Sequence, residues 1–265
     1  AMLILVPVLA LTSGLRDLRT HWRGIAVVGL TNSALPFVLF SWAALLIPAG
    51  SSALFTGATP LFAAAIGWFW LSESLTAPRI AGLGIGFAGV VWLVWDTLDM
   101  SRGAGGATGA LAAAACLLST VLYGICANYT KRYLGDVPPM AIAAGSQVAA
   151  SLMLVVPTAW AWPAVMPGAK AWFALGMLAL ACSAVAYVLF FRLIARIGAP
   201  RSMTISFMIP AFGVLWGSVF LGEAVTLGKV VGCAIILIGT ALSVGVLDRF
   251  FGDCRGGNSR WRTPT

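Results

Sequence analysis

The feature that most constrains this chain is an internal repeat. Thr59 to Thr76 reads TPLFAAAIGWFWLSESLT, and Ile209 to Thr226 reads IPAFGVLWGSVFLGEAVT. Pro60, Gly67, Leu71, Glu73 and Thr76 return as Pro210, Gly217, Leu221, Glu223 and Thr226, at a constant offset of 150 residues (60 to 210, 73 to 223). The same ungapped register pairs Trp22 with Trp172, Leu39 with Leu189, Phe40 with Phe190, Ser52 with Ser202, Gly82 with Gly232 and Gly89 with Gly239. A long internal period decides the architecture before any single residue does. This unit is too long and too apolar for a water-soluble solenoid, so it reads as a duplicated membrane half.

Composition supports that reading. The chain is 60% hydrophobic and 9% charged, whereas a soluble domain carries about 25% charged residues. Too little polar surface is available to cover a globule in water. About 20 apolar residues in a helix cross the hydrocarbon core, and most of the chain divides into such lengths. The apolar runs are continuous rather than alternating, which favours helices over a barrel. The formal net charge of +8 fits loops on the cytoplasmic side of a membrane better than a nucleic-acid surface, so no nucleic-acid partner is expected. Cys116, Cys126, Cys182, Cys233 and Cys254 form no CxxC pair and read as core residues rather than a zinc site. His21, the single histidine, lies among arginines. No metal site, no cofactor and no catalytic residue is expected.

Taken in order, residues 1–12 are apolar but too short to span, and read as the end of a helix whose beginning is absent. Spans follow at about 24–47, 51–71, 78–95, 109–129, 137–160, 171–191, 202–221 and 227–247. The organisation expected is a first repeat at 1–96, a glycine-rich linker at 97–108, a second repeat of five helices at 109–247, and a basic cytoplasmic tail at 248–265. Eight complete spans and a stub result.

Orientation follows from Lys and Arg. With the Ser13–Arg23 loop cytoplasmic and sides alternating, 13 of the 16 basic residues fall inside; Arg102, Lys170 and Lys229 fall outside. This is a strong positive-inside bias. The span holding Pro60 and Glu73 then runs outside to inside, and its copy runs inside to outside. The repeats are inverted, the arrangement of many secondary transporters, whose site lies near the midplane between repeats.

Pro60 with Gly67 and Leu71-Ser72-Glu73, Pro210 with Gly217 and Leu221-Gly222-Glu223, and the glycine-rich runs Gly82–Gly89 and Gly232–Gly239 resemble the drug/metabolite transporter superfamily, EamA type, along nearly the whole chain. The resemblance implies an all-α integral membrane protein of ten helices in two inverted five-helix units, with both ends cytoplasmic. It also implies transport of small organic metabolites across the inner (plasma) membrane. The family's first helix and part of its second have no counterpart here, so the chain is expected to be N-terminally truncated.

Polar side chains deep in spans are the cavity candidates: Asn32, Thr56, Thr59, Ser119, Tyr123, Asn128, Gln147, Tyr187 and Ser206. In lipid each needs a partner and should face the bundle interior; hydrogen bonding between helices is the alternative role. Pro60 and Pro210 remove a backbone bond within a span and suit kinks that bend during transport, or static ones. Glu73 and Glu223 sit at span ends, where they fix the turn to the next span or serve as gating contacts. Gly84-Ile85-Gly86-Phe87-Ala88-Gly89 matches GxGxxG, but inside an apolar span it reads as helix packing.

Three readings follow: a secondary transporter of small metabolites, an integral membrane enzyme acting on a lipid-linked substrate, or a non-transporting truncated subunit. The first is preferred, because the acids are scattered over separate loops. Membrane lipid and a small metabolite are the expected partners, with a homodimer left open. The orientation is directly testable. Single cysteines at Arg16 and Arg132 should react with an impermeant maleimide only from the cytoplasm, and those at Arg102 and Lys170 only from outside. Labelling of Arg102 and Arg132 from one side would refute the span count.

Overall fold

The computed structural model describes residues 15–100, 106–164, 166–186, 189, 193, 196 and 208–245. These residues are almost entirely helical. In chain order the helices are α1 (Leu15–Thr20), α2 (Trp22–Gly29), α3 (Leu35–Ala43), α4 (Ala49–Thr56), α5 (Thr59–Leu71), α6 (Ala77–Met100), α7 (Gly106–Tyr133), α8 (Pro139–Trp160), α9 (Ala169–Met177), α10 (Met208–Leu221) and α11 (Leu227–Ser243). A π-helical segment, Leu30–Ala34, joins α2 to α3, and another, Leu178–Val185, follows α9.

Five units are long and apolar enough to cross a bilayer: Trp22–Ala43, Ala49–Leu71, Ala77–Leu98, Ala107–Tyr133 and Pro139–Trp160. At 1.5 Å per residue, 22 residues reach about 33 Å, the thickness of the hydrocarbon core. The apolar helices Ala169–Ala181, Met208–Leu221 and Leu227–Ser243 are shorter within the described residues. Large apolar side chains face outward, as lipid requires: Leu45, Phe69 and Trp160 are 81%, 77% and 91% exposed. The stub at 1–12 and the tail at 248–265 lie outside the described residues. Helices enter the expected linker at 97–108 from both sides. α6 runs to Met100 and α7 begins at Gly106, and the Thr97 hydroxyl, buried, donates to the Leu93 carbonyl at 2.7 Å. A buried helical hydroxyl satisfied by its own preceding turn does not end the helix, despite the polar letters around it.

The described helices of the first half pack chiefly on helices of the second. α6 packs on α11, α4 on α10, α5 and α3 on α7, and α2 on α8. The closest of these pairings is α6 with α11, and glycine makes it so. A Cβ on Gly82 would stand 2.5 Å from the Ser243 nitrogen, and one on Gly89 would stand 2.9 Å from the Ile236 nitrogen. A Cβ on Gly239 would collide with the backbone of Gly86 and Gly82. The contacts run antiparallel and are reciprocal under the 150-residue offset. Gly82 meets Leu242 and Ser243, while Gly232 meets Trp92 and Leu93. Gly89 meets Ile236, while Gly239 meets Gly86. Two copies of one surface meeting in this self-complementary way is the pattern a two-fold axis produces. The GxGxxG match sits within α6, with Gly86 and Gly89 buried in this contact and Gly84 exposed.

The ends of α5 and α10 also match. Ser72 and Gly222 both take left-handed backbone conformations, with φ of 54° and 65°. The next N–H, of Glu73 or Glu223, donates back to the carbonyl of Gly67 or Gly217, at 3.4 and 3.1 Å. Each glutamate N–H thus reaches six residues back, folding the chain over the end of its own helix after a left-handed residue, a common way for helices to end.

Gly239→Ala should push α6 and α11 apart and cost about 1–3 kcal/mol, as overpacking does. Gly84→Ala, with nothing within 4 Å of the new carbon, should be neutral or gain up to about 1 kcal/mol from helix propensity. Thermal unfolding of the detergent-solubilised variants checks both; equal melting temperatures would remove the glycine contact as the determinant of packing.

Candidate functional site: two carboxylate ties and a broken helix

The span Ala49–Leu71 is not one continuous helix. α4 ends at Thr56, Gly57 and Ala58 form a turn, and α5 starts at Thr59 with Pro60 in its first turn. The break stands at the point where a proline at 60 frees a carbonyl, four residues back at Thr56. Proline's missing N–H costs little at a helix start, so Pro60 begins a helix here rather than bending one. The break is filled from the other half. The Thr240 hydroxyl, fully buried, donates to the Gly57 carbonyl at 3.3 Å. Pro210, also buried, packs so closely on Gly57 that a Cβ there would be 2.7 Å from its Cγ. The Thr56 hydroxyl turns back to the Ala53 carbonyl at 2.6 Å, and Thr59 is half-buried beside the break.

Glu223 closes one end of the bundle. Its Oε1 accepts from the Ala49 N–H at 2.7 Å and its Oε2 from the Gly50 N–H at 2.9 Å. These are the first two N–H groups of α4, whose N-cap residue, Pro48, offers no side-chain acceptor. A carboxylate here gains both charge-assisted hydrogen bonds and the field of the helix N-terminus. Glycine makes room for it: a Cβ on Gly50 or Gly217 would stand 2.7 or 2.9 Å from Oε2. The expected turn-fixing role is therefore corrected for this residue. The following helix is capped by Thr226, whose hydroxyl accepts from the Lys229 N–H at 3.3 Å, while the Glu223 carboxylate reaches across to the first half.

Glu73, in the equivalent position, is an ion-pair partner of Lys131 on α7. Behind the pair, Asn128 is buried and its Nδ2 donates to the Ala63 and Gly124 carbonyls at 2.8 and 2.9 Å. A Cβ on Gly67 would lie 3.0 Å from the Asn128 Oδ1 and 3.3 Å from the Glu73 Oε2, so one glycine admits both side chains. Arg132 adds a bond from its guanidinium to the Trp70 carbonyl at 3.1 Å. α5 and α7 are thus laced together from Gly124 to the end of the helix.

The remaining candidates fall elsewhere. Gln147 is buried and donates to the Ser33 hydroxyl at 3.1 Å; neighbouring Asn32 is half-buried on the π-helical segment Leu30–Ala34. π-Bulges are frequent at functional sites because they reorient side chains and release a carbonyl. Leu30, Ser33 and Ala34 recur as Leu180, Ser183 and Ala184, inside the second π-helical segment, so both repeats carry the feature at one place. Ser119 is fully buried and bonds the Ala115 carbonyl at 2.9 Å, and Tyr123 stacks on Phe40 with ring centroids 6.2 Å apart. Tyr187 and Ser206 lie outside the described residues. The structure brings Asn128, Glu73 and Gly67 together, and Gln147 with Ser33. It does not gather the candidates into one hollow: neither the 460 Å³ hollow beside Arg23 nor the 360 Å³ one beside Trp162 is lined by any of them. Lys131, Thr240 and the α4 N-terminus were missed as partners. Lys131 carried a visible signal, since it lies near a span end as Glu73 does; the backbone N–H groups carried none.

Comparison with known proteins settles the family. The model of the EamA-like transporter family matches residues 1–95 and 110–245. The chain belongs to the EamA-like transporter family. It is 25% identical over 227 residues to the "Uncharacterized transporter YvbV" of Bacillus subtilis, covering 85% of this chain and 72% of that protein. It is 26% identical over 223 residues to the "Probable terminal-alkyne amino-acid exporter" of Streptantibioticus cattleyicolor, covering 82% and 71%. A solved crystal structure superposes with a TM-score of 0.62 at 23% identity, over 94% of this chain and 85% of that one; it supports the fold.

The two ties differ in strength. Glu223→Gln replaces one acceptor oxygen by a donor facing an N–H and should cost about 1–2 kcal/mol. Glu73→Gln removes an exposed ion pair and should cost at most about 1 kcal/mol. Melting temperatures in detergent should therefore rank wild type, Glu73→Gln, Glu223→Gln from high to low; the reverse order would show that the Glu223 cap is incidental.

Proposed function

We propose that this EamA-family membrane protein is a secondary transporter that moves small organic metabolites across the cell (inner) membrane by alternating access. The observation that carries the reading is the Glu223 carboxylate of one half bound to the first two N–H groups of a broken helix in the other. Glu73 and Lys131 link the two halves again, at the opposite end of the membrane on the inverted topology. Ties at both ends that join opposite halves are contacts that rocking would make and break in turn. α4, α5 and α10 are the proposed moving parts, with the Gly57–Ala58 break as the flexible point.

The positive-inside bias supports a cytoplasmic C-terminus. Amino acids are the first substrates to test, since one relative bears the name of an amino-acid exporter. Among the described residues no acid falls in the middle of a span: Asp17, Glu73, Asp96, Asp99, Asp136 and Glu223 all lie at or near helix ends or turns. Proton-driven carriers generally place an ionisable group within the membrane. Transport is therefore proposed to follow the substrate gradient alone.

Reconstituted protein should equilibrate a labelled amino acid across the vesicle membrane, and an imposed pH gradient should leave the final distribution unchanged. Uphill accumulation driven by the pH gradient, lost in Glu73→Gln or Glu223→Gln at wild-type expression, would overturn the uncoupled mechanism. Absence of flux for all amino acids and for a panel of organic anions and cations would overturn the transporter reading.

A further inference from the structure

At the end of the bundle that carries Lys131 and Arg132, a hollow of about 460 Å³ lies between α2 and the last turns of α7. It is lined by Thr20, His21, Trp22, Arg23, Gly24, Tyr129, Tyr133 and Leu134. None of these residues takes part in the ties described above. Arg23 is exposed, its guanidinium 5.5 Å from the Trp22 ring centroid, and it forms no ion pair among the described residues. The Arg132 guanidinium lies 5.5 Å from the Tyr133 ring centroid and 5.9 Å from that of Trp70. Tyr129 and Tyr133 stand 4.8 Å apart, both within 6.4 Å of Trp70. Trp22 and Tyr133 are 58% and 53% exposed.

Three facts here point to one ligand chemistry. The hollow is the size of a small-molecule site, and its rim carries an uncommitted guanidinium, which suits phosphate oxygens in planar, bidentate fashion. Its walls are the Trp and Tyr rings that sit at the level of lipid head groups, and it opens at the ends of membrane-spanning helices. Basic hollows between such helices on the cytoplasmic side are suited to anionic head groups. The carboxylates nearby do not outnumber the cations: Glu73 is committed to Lys131, and α1, α2, the last turn of α7 and the turn after it carry two further acids, Asp17 and Asp136, against Arg19, Arg23 and Arg132.

We propose that this hollow binds the phosphate head group of an anionic phospholipid, with Arg23 as the phosphate ligand and Trp22, Tyr129 and Tyr133 as its aromatic walls. The site itself rests on the membrane-spanning fold; only its assignment to the cytoplasmic leaflet rests on the orientation proposed above. A bound lipid would bridge α2 and α7, helices from opposite halves, and so bear on the end of the bundle that Glu73 ties.

The test is native mass spectrometry of the purified full chain, delipidated in neutral detergent and titrated with phosphatidylglycerol or phosphatidylcholine. Wild-type protein should retain phosphatidylglycerol in preference to phosphatidylcholine. Arg23→Gln should reduce that preference about fivefold, the equivalent of about 1 kcal/mol for one basic side chain at an anionic surface. Arg23→Lys should retain most of it, and Lys170→Gln, on α9 away from the hollow, should retain all of it. Equal retention of the two lipids, or an equal loss in Lys170→Gln, would overturn the site. Displacement of phosphatidylglycerol by millimolar inorganic phosphate would make the hollow a free-anion site and overturn the lipid assignment. Failure of flux in vesicles of any composition would count against the transporter reading and leave the lipid preference standing.

Discussion

Everything else in this bundle depends on how closely α6 and α11 approach. Backbone-to-backbone contact between two helices requires residues without side chains at the crossing, and Gly82, Gly86, Gly89 and Gly239 supply them. In lipid no hydrophobic force draws helices together, so close packing of this kind carries much of the association. The contact joins the two halves, and the other pairings follow its lead: α4 on α10, α5 on α7, α2 on α8. Neither half is a self-contained body. The buried cluster that contains Leu54, Phe55, Leu61 and Leu93 from the first half also contains Ala112, Cys116 and Ile236 from the second.

Within that frame a single local motif is used twice with different results. Helix, left-handed residue, glutamate folded back over a glycine: the arrangement is the same at Glu73 and Glu223. The partners differ. Glu223 holds two backbone N–H groups, of Ala49 and Gly50. At the 150-residue offset those positions are Ala199 and Pro200, and proline has no N–H to give. The two-toothed cap therefore cannot be copied at the other end, and Glu73 takes a lysine ammonium instead. The Glu73–Lys131 pair is exposed and screened by salt, whereas one of the two bonds of the Glu223 cap, to Gly50, is partly buried. Two similar motifs thus make unlike contacts, and Pro200 standing opposite Gly50 at the offset is one reason.

Much of this was legible in the sequence because it depends on residue type at fixed spacing. The repeat, the helical membrane class and the glycine pairs Gly82/Gly232 and Gly89/Gly239 all come from such patterns, and the glycines stand in the contact that the offset implies. What could not be read depends on backbone groups or on pairings between distant helices. Nothing in the letters at 49 and 50 marks them as a carboxylate's partners. Pro60 pointed to a disturbed backbone near residue 56, but not to a full turn at Gly57 and Ala58 with a new helix beginning at Thr59. Helix α6 continues through the polar letters at 97–100, which read in sequence as a helix end. Of the cavity candidates, Asn128, Ser119 and Gln147 have their hydrogen bonds in helix packing, while Asn32 and Thr59 are half-buried, on the π-helical segment and beside the break respectively.

The difference between the two ties bears on how such a machine divides its time. Both ties are made together in this structure; if the halves rock from it, each open state loses the tie at its open end and keeps the other. A tie worth about 1.4 kcal/mol more than its opposite shifts the resting population tenfold toward the state that keeps it. The helix-terminal cap at Glu223 is the stronger by charge-assisted bonding and glycine fit, so the resting protein should favour closure at that end. A substrate then drives the cycle only by binding the minor state better than the major one, since equal affinity for both shifts nothing. The weaker, exposed Glu73–Lys131 tie is the one that salt can loosen, and loosening it removes support from the opposite closure. Rising ionic strength should therefore lengthen the time spent closed at the Glu223 end. Cysteine accessibility near Ala49 should fall with added salt in wild-type protein and lose that dependence in Glu73→Gln; unchanged accessibility in both would mean that the two ties do not compete.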